Sequence, residues 1–286
     1  PPDRQRARMK LCRSPGGIRM TTIVSPRLGA AARRASALYC AVHGHGMPLL
    51  LIHGLGASGA IFQPLIDALS PHFQLIIPDL RGHGQSCRLP GPHSTERLAD
   101  DLVNLLDLLK IRSCYALGHA SGGAILQQFA RANRDRLRGM VMVCAFARQA
   151  TTVREQIESY LRPELFRLLG ASTVGALAAR RALAGEAAFV RNVIGHNDGR
   201  RIAPIARSLQ RFDSRSWLHE LDRPALVIAG EADPTTPPHM SQELAARLPQ
   251  AQFHTIPQAG HWLIKTHSAQ LLDIVLPWLK QQRSAE

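Results

Sequence analysis

Aromatic side chains are scarce in this sequence, with 8 Phe, 3 Trp and 3 Tyr among 286 residues, and acids are few, 21 against 35 basic groups. Proteins that grip single-stranded nucleic acid interleave aromatic platforms with their cations, so the formal charge of +14 does not point to that partner. Lysine is rarer still. Of the 35 basic residues 31 are arginine, a bias closer to the codon usage of a GC-rich genome than to a phosphate-binding design. The charge is also uneven: nine basic residues against the single acid Asp3 in residues 1–38 put +8 of the +14 there, leaving about +6 for the rest. Long apolar runs are missing too. The longest, 47–52 and 140–147, fall far short of the roughly 20 residues that cross a bilayer, so no membrane span is expected. Paired cysteines are absent: Cys12, Cys40, Cys87, Cys114 and Cys144 are odd in number and lack short spacings. That pattern excludes a disulfide framework and a zinc-ligand array, and the expected compartment is the cytoplasm. Cys114 and Cys144 sit in apolar runs and read as small buried hydrophobes.

Residues 1–37 read as a basic extension, partly non-native over 1–19 and flexible, without the apolar stretch of a secretory signal. With 45% hydrophobic and 20% charged residues, the remainder is long enough to bury one core and an inserted cap.

What is present is organised around Gly118-His119-Ala120-Ser121-Gly122-Gly123, between an apolar run at 114–117 and a helix-like run at 124–132. Glycines two residues either side of a central residue, at a strand-to-helix turn, define a nucleophile elbow. The helix N-terminus beside such a turn favours a developing oxyanion. Here the central residue is Ala120, which has no lone pair to attack with. Shifting the register so that Ser121 attacks would put His119 at the crowded position two residues before it. Ser121 therefore reads as an oxyanion donor through its backbone N–H.

The apolar run 49–52 is expected of a parallel strand buried on both faces, and it ends in His53-Gly54-Leu55-Gly56. His43-Gly44-His45-Gly46 just before it reads as a turn between strands, since no third metal ligand is near in sequence. Gly54 to Gly59 also spells G-x-G-x-x-G after a strand; a helix at 61–69, a strand at 73–77 and Asp79 follow. That is the outline of a dinucleotide site, and it opens an NAD-dependent oxidoreductase alternative. Against it, Asp79 belongs to a second glycine-rich turn, Asp79-Leu80-Arg81-Gly82-His83-Gly84-Gln85-Ser86, and His53 has no role in gripping a pyrophosphate.

Leu98, Leu102, Leu105, Leu106 and Leu109 recur at helical spacing, with Asp100, Asp101 and Asp107 on other faces. A strand at 140–144 completes a β-α-β-α-β succession that argues for a parallel sheet. Residues 148–215 then carry twelve arginines and helix-spaced sets, Ile157, Leu161, Leu165, Leu168 and Ile202, Ile205, Leu209, Phe212. They read as a helical cap over the strand ends. The arginines could attract an acidic substrate, but a solvated face is the favoured reading. Strands at 224–229 and 252–256 precede Gly230-Glu231-Ala232-Asp233 and Gly260-His261-Trp262, and an amphipathic helix at 271–279 closes the chain.

Taken together, the His-Gly turn, the Asp-x-Arg-Gly-x-Gly-x-Ser turn and the elbow resemble the α/β-hydrolase superfamily, over residues 38–282. The resemblance implies a core of 38–147 and 216–286: a mostly parallel sheet with helices on both faces and an inserted helical cap at 148–215. It implies Ala120 at the nucleophile position, Asp233 as triad acid with Glu231 as fallback, His261 as general base, and the N–H groups of Leu55 and Ser121 as the oxyanion hole. His53, Gly54, His119 and Trp262 are expected to contact substrate. No metal or cofactor is required, and the expected partner is a small ester or lactone; association of identical copies is compatible with the sequence. Three explanations fit the missing hydroxyl. One is a Ser→Ala replacement made to trap substrate in a serine hydrolase. Another is a natural enzyme whose His261 and Asp233 activate water, like the aminoacrylate hydrolases of pyrimidine degradation, whose elbow also has alanine. The third is a non-catalytic binder, as receptor members of the superfamily are.

Overall fold

The computed structural model describes residues 10–13, 19–22, 38–150, 152–181, 187–195 and 197–284. In the basic extension, β1 (Lys10–Arg13) and β2 (Arg19–Thr22) pair antiparallel, strands that the sequence reading did not anticipate; its other residues lie outside the described ones. A seven-stranded sheet follows, formed by β3 (Cys40–His43), β4 (Met47–Ile52), β5 (Phe73–Pro78), β6 (Cys114–His119), β7 (Leu137–Val143), β8 (Ala225–Gly230) and β9 (Ala251–Ile256). Its order is β3-β5-β4-β6-β7-β8-β9, and only the β3–β5 pairing is antiparallel.

The strand period of two sends alternate residues into two cores. Leu50, Ile52, Met140, Met142 and Val227 face one core, packed by α2 (Thr95–Leu108), α3 (Ser121–Ala132) and α7 (Pro238–Arg247). Leu49, Leu51, Val141, Val143, Leu226 and Ile228 face the other, packed by α1 (Gln63–Leu69) and α9 (Ser268–Ser284). Each such buried aliphatic side chain stabilises the fold by about 1.5–3 kcal/mol, which is why the central strands read as unbroken apolar runs.

Between β7 and β8 the chain makes α4 (Val153–Arg181), kinked at Gly170, then α5 (Ala187–Gly195) and α6 (Gly199–Arg211). Phe166, Ala171, Val190, Ile194 and Ile202 form a separate core among these helices, against which Leu55 and Trp262 pack. The two helix-spaced sets fare differently. Ile202, Ile205, Leu209 and Phe212 are buried, whereas Ile157 and Leu168 are 56% and 67% exposed, because α4 turns Phe166 and Ala171 inward instead. Asp101, off the leucine face of its helix, is also buried, since the Arg81 guanidinium meets it at 2.6 and 2.8 Å. No helix among the described residues is long and apolar enough to cross a membrane.

The order of strands positions the site. β6 lies between β4 and β7, so the loops leaving the C-terminal ends of β4 and β6 emerge side by side, with those of β8 and β9 further along the same edge. That edge is where open α/β sheets bind ligands.

Candidate active site

At the end of β6 the backbone of Ala120 takes φ 52 and ψ −122, a left-handed conformation that alanine adopts only under strain. Close packing fixes it. A Cβ on Gly118 would lie 2.7 Å from the Gly122 backbone, and one on Gly122 would lie 2.2 Å from the Ile52 carbonyl oxygen. The turn is therefore centred on Ala120. Ser121 opens α3, so the alternative register, with Ser121 as attacker, does not have the elbow's geometry. The same glycines let α3 begin three residues earlier than the helix-like run suggests.

His261, on the loop after β9, holds Asp233, on the loop after β8, through Nδ1 and Oδ2 at 2.8 Å. The other carboxylate oxygen accepts the N–H groups of Thr235 and Thr236 at 2.7 and 2.9 Å. Burial by itself would raise the Asp233 pKa; the adjacent imidazole and the N–H donors outweigh it and hold the carboxyl below its usual range. Asp233 as acceptor puts the His261 proton on Nδ1 and leaves a lone pair on Nε2. Glu231, the fallback acid, accepts instead from the Gln258 N–H at 3.0 Å.

His119 is buried and donates from Nε2 to the His261 backbone carbonyl at 2.9 Å. Burial, then the nearby His261, pushes its pKa down to about 3, so it is a neutral strut for the His261 backbone. Its Nδ1 has no hydrogen-bond partner among the described residues.

His53 does not face the ligand space, contrary to the contact expected of it. Its Nε2 accepts the Leu80 N–H at 2.9 Å, which puts its proton on Nδ1, and that nitrogen donates to the Gly54 carbonyl at 2.8 Å. His83 mirrors it, accepting from Gly56 N–H and donating to the Arg81 carbonyl, each at 3.0 Å. Burial pushes the two imidazoles down to about 4 and about 3. Asp79 accepts from Gly59 and Gln85 N–H groups, both at 2.8 Å. Its carboxylate is thus built into the turn, which removes the acid that the dinucleotide reading needed.

A cavity of about 490 Å³ brings Ala120, His261, Gly54, Leu55, Ser121, His119 and Trp262 together on its floor. Asp233 stands behind His261. Leu161, Phe166, Leu177 and Ile194 from the inserted helices form the apolar wall, with Arg180 and Gln149 as polar members. Sequence reasoning named none of these as site residues, because which helical residue faces a cavity is a tertiary fact. Thr235 and Thr236 were legible in principle, since Asp followed by N–H donors two and three residues on is an Asx turn. The Leu55 N–H, expected to face substrate, donates instead to Ser121 Oγ at 2.6 Å. His119, Cys144 and His261 each bring a possible metal-ligand atom within 4.8 Å of the others. One nitrogen of each histidine is already engaged, by Asp233 and by the His261 carbonyl.

A strained elbow, a His–Asp pair on the loops after β8 and β9, and a cavity roofed by inserted helices meet at one edge of a mostly parallel sheet. Residues 47–268 match the alpha/beta hydrolase fold family, and the chain belongs to it. Its similarity extends to the protein named carbamate hydrolase RutD of Serratia proteamaculans, 29% identical over 252 residues, covering 83% of this chain and 92% of that one. Among solved structures it is similar to the enol-lactonase from Burkholderia xenovorans LB400, 25% identical with a TM-score of 0.79, covering 85% of this chain and 96% of that one. A thermophilic esterase from Thermogutta terrifontis is 28% identical with a TM-score of 0.77, covering 86% and 94%. The protein is an α/β-fold hydrolase.

Proposed function

We propose that the protein hydrolyses a small ester, lactone or carbamate with water activated by His261 and Asp233, in place of a side-chain nucleophile. One observation carries this reading: the His261–Asp233 contact is intact at 2.8 Å while the elbow seat beside it, open to the same cavity, holds only a methyl group. With the carbonyl carbon above Ala120, water occupies the space of the missing hydroxyl. Nε2 of His261 takes a proton from that water as its oxygen bonds to carbon, and the carbonyl electron pair moves onto oxygen. Collapse breaks the bond to the leaving alcohol or amine, which receives the proton from the imidazolium, while Asp233 holds the ring throughout. No cofactor enters this route.

The names of the relatives support the choice of substrate classes. In this reading the core of 38–147 and 216–286 performs the chemistry, and the cap at 148–215, with Trp262 and His119, shapes the acyl or carbamoyl pocket. A second reading, a serine enzyme inactivated at position 120, is favoured by the strained φ of 52 at Ala120, a conformation that serves an attacking oxygen.

Stopped-flow hydrolysis of p-nitrophenyl acetate separates the two. Direct water attack gives steady turnover without a burst in the unaltered protein, abolished by His261→Asn and not raised by Ala120→Ser. An inert unaltered protein, with a stoichiometric burst from Ala120→Ser reporting an acyl-enzyme, establishes the covalent route instead.

A further inference from the structure

We propose that the side-chain hydroxyl of Ser121 is a catalytic oxyanion donor, and that the Leu55 N–H acts behind it and not on the substrate. The inference rests on the hydrolase reading above and departs from the arrangement the resemblance implies, in which two backbone N–H groups face the substrate oxygen.

The Leu55 N–H has one hydrogen, and it lies on Ser121 Oγ at 2.6 Å. A hydroxyl that accepts still has its own proton to give. Among the described residues no acceptor receives it. Ser121 is 5% exposed, and the space that it borders is the cavity over Ala120, so that proton is available to an oxygen bound there. Accepting from Leu55 polarises the O–H bond and makes it a stronger donor, as in any hydrogen-bonded chain. The backbone N–H of Ser121, which heads α3 where helix donors have no partner within the helix, supplies the second contact. One residue thus offers two donors to a tetrahedral oxyanion, at the positive end of a helix dipole. The contact from Leu55 also ties the loop after β4 to the elbow before any ligand arrives, so the hole is preorganised. Ser121 forms no covalent bond in this scheme and keeps its proton throughout.

The test compares Ser121→Ala and Ser121→Gly with Ser121→Thr, which keeps a hydroxyl. One arm measures kcat and KM on p-nitrophenyl acetate. The other measures calorimetric affinity for the 4-nitrophenyl methylphosphonate anion, a tetrahedral mimic whose binding needs no proton transfer. Removing the hydroxyl is expected to lower kcat about 100-fold or more, leave KM within about threefold, and weaken phosphonate binding at least about tenfold. The threonine variant is expected to stay within about tenfold of the unaltered protein on both measures. Alanine or glycine variants that match or exceed the unaltered protein overturn the proposal, since the released Leu55 N–H then suffices. So does a threonine variant as impaired as a folded alanine variant, or a failure of the unaltered protein to bind the phosphonate. His261→Asn in the same assays keeps the two ideas apart. If it turns over the ester normally, the water-activation reading falls, while phosphonate affinity still judges the hydroxyl.

Discussion

Asp233 matters through the proton it places on His261. Asp233→Asn is expected to present an amide N–H toward Nδ1, favour the other tautomer and remove the lone pair from Nε2. Turnover of p-nitrophenyl acetate should fall about 10³- to 10⁴-fold, with thermal unfolding measured alongside to show that the fold persists. The pairing of these two residues was expected from the α/β-hydrolase resemblance, with Asp233 three residues past the glycine that ends β8, His261 directly after Gly260, and the order elbow, acid, histidine. The Ser121–Leu55 contact was not: it joins residues 66 apart through one rotamer, which no spacing encodes. His53 shows the opposite failure. A histidine beside a glycine-rich turn reads as a ligand contact, yet burial makes it a neutral clamp between loops.

At the scale of elements, the loop after β4 and the turn after β5 hold each other. His53 and His83 each accept an N–H and donate to a carbonyl, and Asp79 reaches the first loop through Gly59. The turn itself is anchored to α2 by the buried Arg81–Asp101 pair. Arg81→Ala strands the Asp101 charge in the core, which costs about 3–5 kcal/mol. Arg97, 3.2 Å from the same carboxylate, offsets part of that. A loss at the lower end corresponds to a fall in Tm on the order of 10 °C, to be read by calorimetry; an unchanged Tm would show that the pair contributes nothing. The turn was visible in the sequence from its glycines and Asp79. Its anchor was not, because helical spacing placed Asp101 off the leucine face without showing that an arginine from elsewhere covers it.

For the molecule as a whole, three fully buried histidines contribute most to the response to acid, and burial also lowers His43 and His93. Burial pushes His53, His83 and His119 down from an ordinary 6.5 to about 4, about 3 and about 3. As pH drops below 6.5 the unfolded chain takes up protons that the native state refuses, so stability is fully present above 6.5 and is lost progressively toward pH 3–4. By pH 5 each costs on the order of 2 kcal/mol. Asp233, held below 3.8, adds to the same trend only at lower pH. Urea denaturation at pH 7 and pH 5 should show this fall, and His119→Gln should make it shallower; a free energy of unfolding flat across that range would contradict the buried neutral state. The sheet and most of its helices were readable from apolar period alone, whereas the closure of these histidines away from water depends on the whole assembly. The inserted helices are built differently. α4 and α5 share their own apolar core with one side of α6, while Ile205 and Leu209 on α6 belong to the main core. α6 therefore moors these helices to the main core, and Phe189 and Val193 of α5 pack against the core on the other face of the sheet. In the proposed division of labour, appetite and chemistry can drift apart under selection, and a graft that keeps α6 and the Phe189 and Val193 contacts should let one catalytic chassis inherit another enzyme's diet.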